Sequence, residues 1–179
     1  MGRLTHRTTP GCTYFVTTKT WENRALLQSN EAAGILIECF LRYREKRAYL
    51  PHEFVIMPNH LHLLITPARD HSLEKCMQLI KGGSSNEIHQ RQGGKLPLWQ
   101  SGFHEEAVRD ANDYRSKMMY IRMNPVHAHL VENPDDWAHS TASGHFALDP
   151  APNKFKISTS GAKAHLGVPH DVGAKAPTP

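Results

Sequence analysis

The sequence predicts an α+β fold of the ferredoxin-like βαββαβ kind, an antiparallel sheet with helices on one face, followed by one further helix. Three observations predict it. Runs rich in β-branched and aromatic residues at 14–18, 49–57 and 60–66 read as strands. Apolar residues at helical spacing lie between them: Ile35, Cys39 and Tyr43, then Leu73, Met77 and Ile80. The second and third strands are joined by little more than Pro58-Asn59, and only antiparallel neighbours can be joined so tightly. Such an arrangement leaves the second sheet face free for a ligand or partner.

Taken in order, residues 1–10 carry Arg3, His6 and Arg7 and read as a flexible basic arm. The first strand follows. Asn23 or Ser29 is placed to cap a helix running to about Lys46. Arg42, Arg44, Lys46 and Arg47 cluster near its end, where cations suit the helix dipole. After the second strand, Met57-Pro58-Asn59 is a turn: proline fixes φ and asparagine tolerates a left-handed conformation. Ser72 opens a second helix, which Lys81-Gly82-Gly83-Ser84-Ser85 is expected to end or kink. Residues 99–108 supply the fourth strand. A third helix spans about 111–124, with Tyr114, Met118 and Ile121 on its apolar side, and Pro125 is expected to break it. From residue 147 to 179 the chain is rich in Pro, Gly, Ala and Lys without a sustained period, which predicts a disordered tail and leaves 11–146 as the folded domain.

The length of 179 residues suits one domain, and a 39% hydrophobic content gives it a core. A net charge of +4 is compatible with a polyanionic partner. Cys12, Cys39 and Cys76 are scattered, odd in number and without a CxxC, which argues against a disulfide framework or zinc knuckle. The start of the chain does not read as a signal peptide, and no apolar run approaches the ~20 residues of a membrane helix. The expectation is a cytoplasmic protein.

His60-Leu61-His62 is the chemically suggestive stretch. Side chains alternate along a strand, so the two histidines share a face while Leu61, Leu63 and Ile65 point into the helix layer. Two imidazoles side by side suit a divalent metal, although two solvated histidines have the same pattern. Tyr120 lies about 200° around the third helix from Met118, away from the main apolar stripe. Asn124 follows one turn later on the same side. A phenol and an amide are thereby presented together, an arrangement also compatible with plain surface residues.

Met57-Pro58-Asn59-His60-Leu61-His62-Leu63-Leu64 resembles the histidine–hydrophobic–histidine (HUH) signature of single-tyrosine transposases. Tyr120-Ile121-Arg122-Met123-Asn124-Pro125-Val126 resembles the tyrosine motif of the REP-associated branch, relatives of the IS200-like insertion-sequence transposases. Gly11 with Tyr14-Phe15-Val16-Thr17, Trp99-Gln100 with Phe103 and Arg109, and Leu130-Val131 with Pro134 and Trp137 extend the resemblance in order over about residues 11–140. The resemblance implies that the HUH strand is central, that His60, His62 and, at the polar position one turn after the tyrosine, Asn124 hold Mg²⁺ or Mn²⁺, and that Tyr120 is the nucleophile.

The implied reaction is cleavage and strand transfer on single-stranded DNA hairpins such as repetitive extragenic palindromes. Tyrosine attack on a phosphodiester conserves its energy in a 5′-phosphotyrosine link and frees a 3′-OH that can later rejoin a strand. A phenol of ordinary pKa near 10 needs help at pH 7, and a metal supplies it by polarising a phosphate oxygen. Candidate phosphate contacts are Arg3, Arg7, Lys19, Arg42, Arg44, Arg47, Lys81 and Arg122. A non-catalytic DNA-binding regulator of the same fold, a hydrolytic metal nuclease and a replication-initiator nickase are competing readings. Monomer and homodimer both fit the sequence. Two positions depart from the family pattern: His127-Ala128-His129 stands where a basic residue, alanine and glycine are usual, and Gly82-Gly83 where basic and bulky residues are common.

Overall fold

A computed structural model describes residues 8–94 and 97–156. Its strands are β1 (Tyr14–Lys19), β2 (Tyr49–Met57), β3 (His60–Pro67) and β4 (His104–Ala107), and its helices are α1 (Asn30–Glu45), α2 (Leu73–Gln92) and α3 (Ala111–His127). The four strands form one antiparallel sheet in the order β2-β3-β1-β4. This is the predicted βαββαβ fold, and it puts the His60–His62 strand in the middle. The residues of the expected basic arm that include Arg3 and Arg7, and the tail beyond residue 156, lie outside the described residues.

Alternation along the strands gives the sheet two apolar faces. Val16, Phe54, Ile56, Leu61, Leu63 and Ile65 face α1 and α2 and form the larger core. Phe15, Val55, Met57 and Leu64 face the other way and pack with Tyr114 and Ile121 of α3. Fully burying each such side chain is worth about 1.5–3 kcal/mol. The face expected to stay free is therefore partly roofed by the third helix. The physical reason is plain in β2 and β3: Val55, Met57 and Leu64 make that face apolar too, and an apolar sheet face needs cover.

Ser29 caps α1, its hydroxyl accepting from the Ala32 amide at 3.1 Å. Asn23, the alternative cap, instead sits at φ 56 in a short turn beside Glu22 at φ 52.

Helix α2 runs unbroken through Lys81-Gly82-Gly83-Ser84-Ser85, against expectation. A Cβ on Gly83 would stand 2.6 Å from the Cys39 sulfur and 3.0 Å from the Tyr43 ring. Glycine is what lets α1 and α2 approach this closely. Ser84 satisfies its hydroxyl on the Ile80 carbonyl at 2.7 Å and receives the Trp99 indole N–H at 3.0 Å. Tertiary packing thus outweighs weak local propensity.

Helix α3 likewise continues past Pro125 to His127. Proline lacks only one donor, and at this point the helix is already closing. The Leu130 amide bonds the Pro125 carbonyl at 3.0 Å and the His129 amide bonds that of Val126 at 2.9 Å, with His129 left-handed at φ 55. This is a Schellman stop, and His129 occupies the position where glycine is usual.

The fourth strand is shorter than the expected 99–108 because the segment before it is spent on anchoring. Trp99 bridges Thr20, and the Gln100 amide bonds the Lys19 carbonyl at 3.0 Å.

The stretch 147–156, expected to be unstructured, packs as a strap. Asp149 takes the Arg44 guanidinium at 2.7 Å, its amide bonds the Pro51 carbonyl at 3.0 Å, and its own carbonyl lies 3.1 Å from His52 Nδ1. Phe155 is buried and stacks on Tyr114 at 5.2 Å.

Candidate functional site

The β2–β3 turn places His60 at the start of β3, opposite Lys19, and the strand's alternation puts His62 opposite Thr17 on the same face. The two imidazole centroids stand 4.7 Å apart. Each ring is held through Nδ1. Thr17 Oγ1 lies 2.8 Å from His62 Nδ1, and Asn59 Oδ1 lies 2.7 Å from His60 Nδ1. Such partners fix tautomer and ring orientation and leave Nε2 as the nitrogen for a ligand.

Burial pushes the His62 pKa down to about 3, assisted by the neighbouring His60 and the Lys19 ammonium. His60 is also lowered by burial, against a hydrogen bond to the Asn124 side-chain oxygen that works the other way. Both rings are therefore neutral at pH 7 and offer lone pairs, the form that binds metal. Among the described residues no three His, Cys, Asp or Glu side chains converge, so an amide or a substrate oxygen must complete a metal shell here. Asn124 is positioned for it: buried, on the inner side of α3, and bonded to His60. Two imidazoles and an amide oxygen leave open positions on an octahedral cation, which fits Mg²⁺ or Mn²⁺ bound together with a phosphate.

Tyr120 enters the same space from α3. Its ring meets His62 edge-on with centroids 5.2 Å apart and meets Phe15 at 5.8 Å. It nevertheless stays 47% exposed, so the phenol is in reach of a solvent-borne substrate. The geometry brings together all four residues singled out as nucleophile and metal ligands.

The candidate DNA contacts divide. Lys19 is exposed and on the histidine face. Arg42, Arg44 and Arg47 lie on α1 and its end, across the sheet from the histidines; Arg42 pairs with Glu87 and Arg44 with Asp149. Lys81 is spent on structure: its ammonium donates to the carbonyls of Gln100, at 2.8 Å, and Gly102, and burial lowers its pKa to about 8. Arg122 forks onto the buried Glu53 carboxylate at 2.9 and 3.2 Å.

Sequence reasoning missed Phe15, Thr17, Asn59 and Lys117 as neighbours of the site. The parity of β1 could have flagged Phe15 and Thr17 as sharing a face, but only the β1–β3 register shows that this is the histidine face.

This arrangement agrees with comparisons to known proteins. The family described as "Transposase IS200 like" matches residues 9–124. A REP-associated tyrosine transposase of Escherichia coli strain K12 is 28% identical over 152 residues, spanning 84% of this chain and 86% of that protein. The solved structure of a REP-associated tyrosine transposase bound to a REP hairpin superposes with a TM-score of 0.67 at 26% identity, over 88% of this chain and 96% of that one. The chain belongs to the IS200-like transposase family, with the DNA-binding, transposase-type role that membership carries.

Proposed function

We propose that this protein cleaves and rejoins single-stranded DNA at hairpins of the REP type, with Tyr120 as nucleophile and a divalent metal held by His60, His62 and Asn124. The observation that carries the reading is the convergence of the Tyr120, His62 and His60 rings at 5.2 and 4.7 Å on one sheet face. The solved relative bound to a REP hairpin supports the substrate class.

In the proposed step the Tyr120 oxygen bonds to the scissile phosphorus and the bond to the 3′ oxygen breaks. The phenol gives up its proton and the departing oxygen gains one, leaving a 3′-OH and a 5′-phosphotyrosine. Reversal by an incoming 3′-OH rejoins the strand, with no nucleotide triphosphate needed. When bound, Mg²⁺ or Mn²⁺ polarises a non-bridging phosphate oxygen and offsets developing charge. Thr17 and Asn59 keep the imidazoles oriented, and Lys19 offers a cation at the rim. The contact between the Tyr120 and His62 rings supports a reading in which the tyrosine works with the histidines of its own chain.

Covalent trapping tests the proposal. Labelled hairpin oligonucleotides from repeats flanking the gene are incubated with Mn²⁺ and resolved on denaturing gels. A metal-dependent adduct that disappears in both Tyr120→Phe and His62→Ala is expected. Hairpin binding without an adduct would favour a DNA-binding regulator. Cleavage that survives Tyr120→Phe would mean hydrolysis by water.

A further inference from the structure

We infer that Phe15 is a positioning residue that registers the tyrosine against the histidine pair; the inference rests on the reading of Tyr120 as nucleophile. The argument begins with what holds each group. His62 has Thr17, and His60 has Asn59 and Asn124. Tyr120 is different: among the described residues its hydroxyl takes no hydrogen-bond partner, and its ring contacts are to Phe15 and His62. A half-exposed side chain without a polar tether is oriented by packing alone.

Phe15 is built to supply that packing. It is buried, on central strand β1, and its ring stacks on His62 with centroids 5.4 Å apart and planes 18° apart. The same ring takes Tyr120 edge-to-face at 5.8 Å and 81°. Stacked and edge-on contacts of this kind are worth roughly 0.5–1.5 kcal/mol each beyond burial and are directional. With the tilt of the imidazole already fixed by Thr17, this one rigid ring sets the distance and angle at which the phenol stands from it.

Phe15 is itself clamped. The Lys117 ammonium lies 5.4 Å over its ring, one turn before Tyr120 on α3. Glu106 at 2.7 Å and Asp113 at 3.2 Å hold that ammonium. Strand β4, through Glu106, and helix α3, through Lys117 and Tyr120, are so keyed to a single residue of β1. In-line attack tolerates little error, and a displacement of about 1 Å costs about 100-fold in rate.

The test compares Phe15→Leu, which keeps an apolar side chain but not the ring, with Phe15→Tyr, which keeps the ring. Single-turnover adduct formation, hairpin Kd, Mn²⁺ Kd and thermal midpoint are measured for each. Phe15→Leu should slow adduct formation by about 10- to 100-fold while both dissociation constants stay within about twofold, and Phe15→Tyr should recover most of the rate. A wild-type rate in Phe15→Leu, or a loss of hairpin and metal binding in step with rate, overturns the inference. A second readout needs no DNA. The Tyr120 ring resonances, assigned by their loss in Tyr120→Phe, should move toward free-tyrosine shifts in Phe15→Leu and stay displaced in Phe15→Tyr. Unchanged shifts in Phe15→Leu overturn the positioning role. Shifts that move as expected in a protein forming no adduct would sink the cleavage reading and leave the ring packing standing.

Discussion

Removing the Arg122 guanidinium should damage stability more than DNA binding. Glu53 is 3% exposed on β2. Two guanidinium hydrogen bonds, at 2.9 and 3.2 Å, and the Thr141 hydroxyl satisfy its carboxylate. Breaking a buried pair by removing one partner costs about 3–5 kcal/mol, because a buried charge is left uncompensated. The Arg122 side chain is 41% exposed, so water screens the pair and the low end applies. Arg122→Ala should therefore lose about 3 kcal/mol, which at about 2–4 °C per kcal/mol for a domain of this size lowers Tm by roughly 6–12 °C. Calorimetry or urea unfolding measures it. The companion Glu53→Gln with Arg122→Met should lose less than Arg122→Ala alone, since no naked carboxylate remains. The reasoning is refuted if Arg122→Ala melts like wild type while the salt dependence of hairpin binding drops by about 0.7 in slope, the signature of one lost phosphate contact.

Four further expectations rest on single contacts. His129→Gly should stabilise by about 0.5–1 kcal/mol, because His129 bears the left-handed stop of α3 at φ 55; an unchanged or lower Tm counts against it. Thr18→Val should be neutral or stabilise by about 1 kcal/mol, since the buried Thr18 hydroxyl has no hydrogen-bond partner among the described residues, and a clear loss in urea unfolding would contradict this. Gly83→Ala should cost about 1–3 kcal/mol by pressing on the Cys39 sulfur 2.6 Å away, read by the same assay. The His62 pKa is held near 3 when folded and lies at 6.5 ordinarily. Between those values the unfolded chain binds a proton that the folded protein refuses. The associated stability is full above pH 6.5 and falls as pH drops toward 3, by at most about 4–5 kcal/mol at 1.36 kcal/mol per pH unit. His62→Gln should flatten the measured stability–pH curve over that window, and an identical slope would contradict the assignment.

The strands and their order were legible because their signals are local. The alternation in β3 already separates Leu61, Leu63 and Ile65 from His60 and His62, and Pro58-Asn59 announces the hairpin. The misread elements share a different physics. Gly82-Gly83 looks like a break until Cys39 and Tyr43 are known to lie against Gly83. Pro125 looks like a stop until the cap formed by His129 and Leu130 closes the helix beyond it. The segment 147–156 has the composition of a loose tail, yet Arg44 and His52, about 100 residues earlier in the chain, hold it. For the site, the resemblance of residues 57–64 and 120–126 to family motifs pointed to His60, His62, Tyr120 and Asn124. Their neighbours Phe15 and Lys117 are set by strand register and helix docking, which no single segment encodes.

The second apolar sheet face has a consequence for how the protein is made. The strands bearing Phe15, Val55, Met57 and Leu64 leave the ribosome well before Tyr114 and Ile121, and the strap residue Phe155 comes later still. Domains fold as they are synthesised, and uncovered apolar surface is where nascent chains go astray. During that interval this sheet face lacks its cover, and β3 carries His60 and His62 without Tyr120 beside them. Tyr120 reaches His62 only through the same docking of α3 that covers this face.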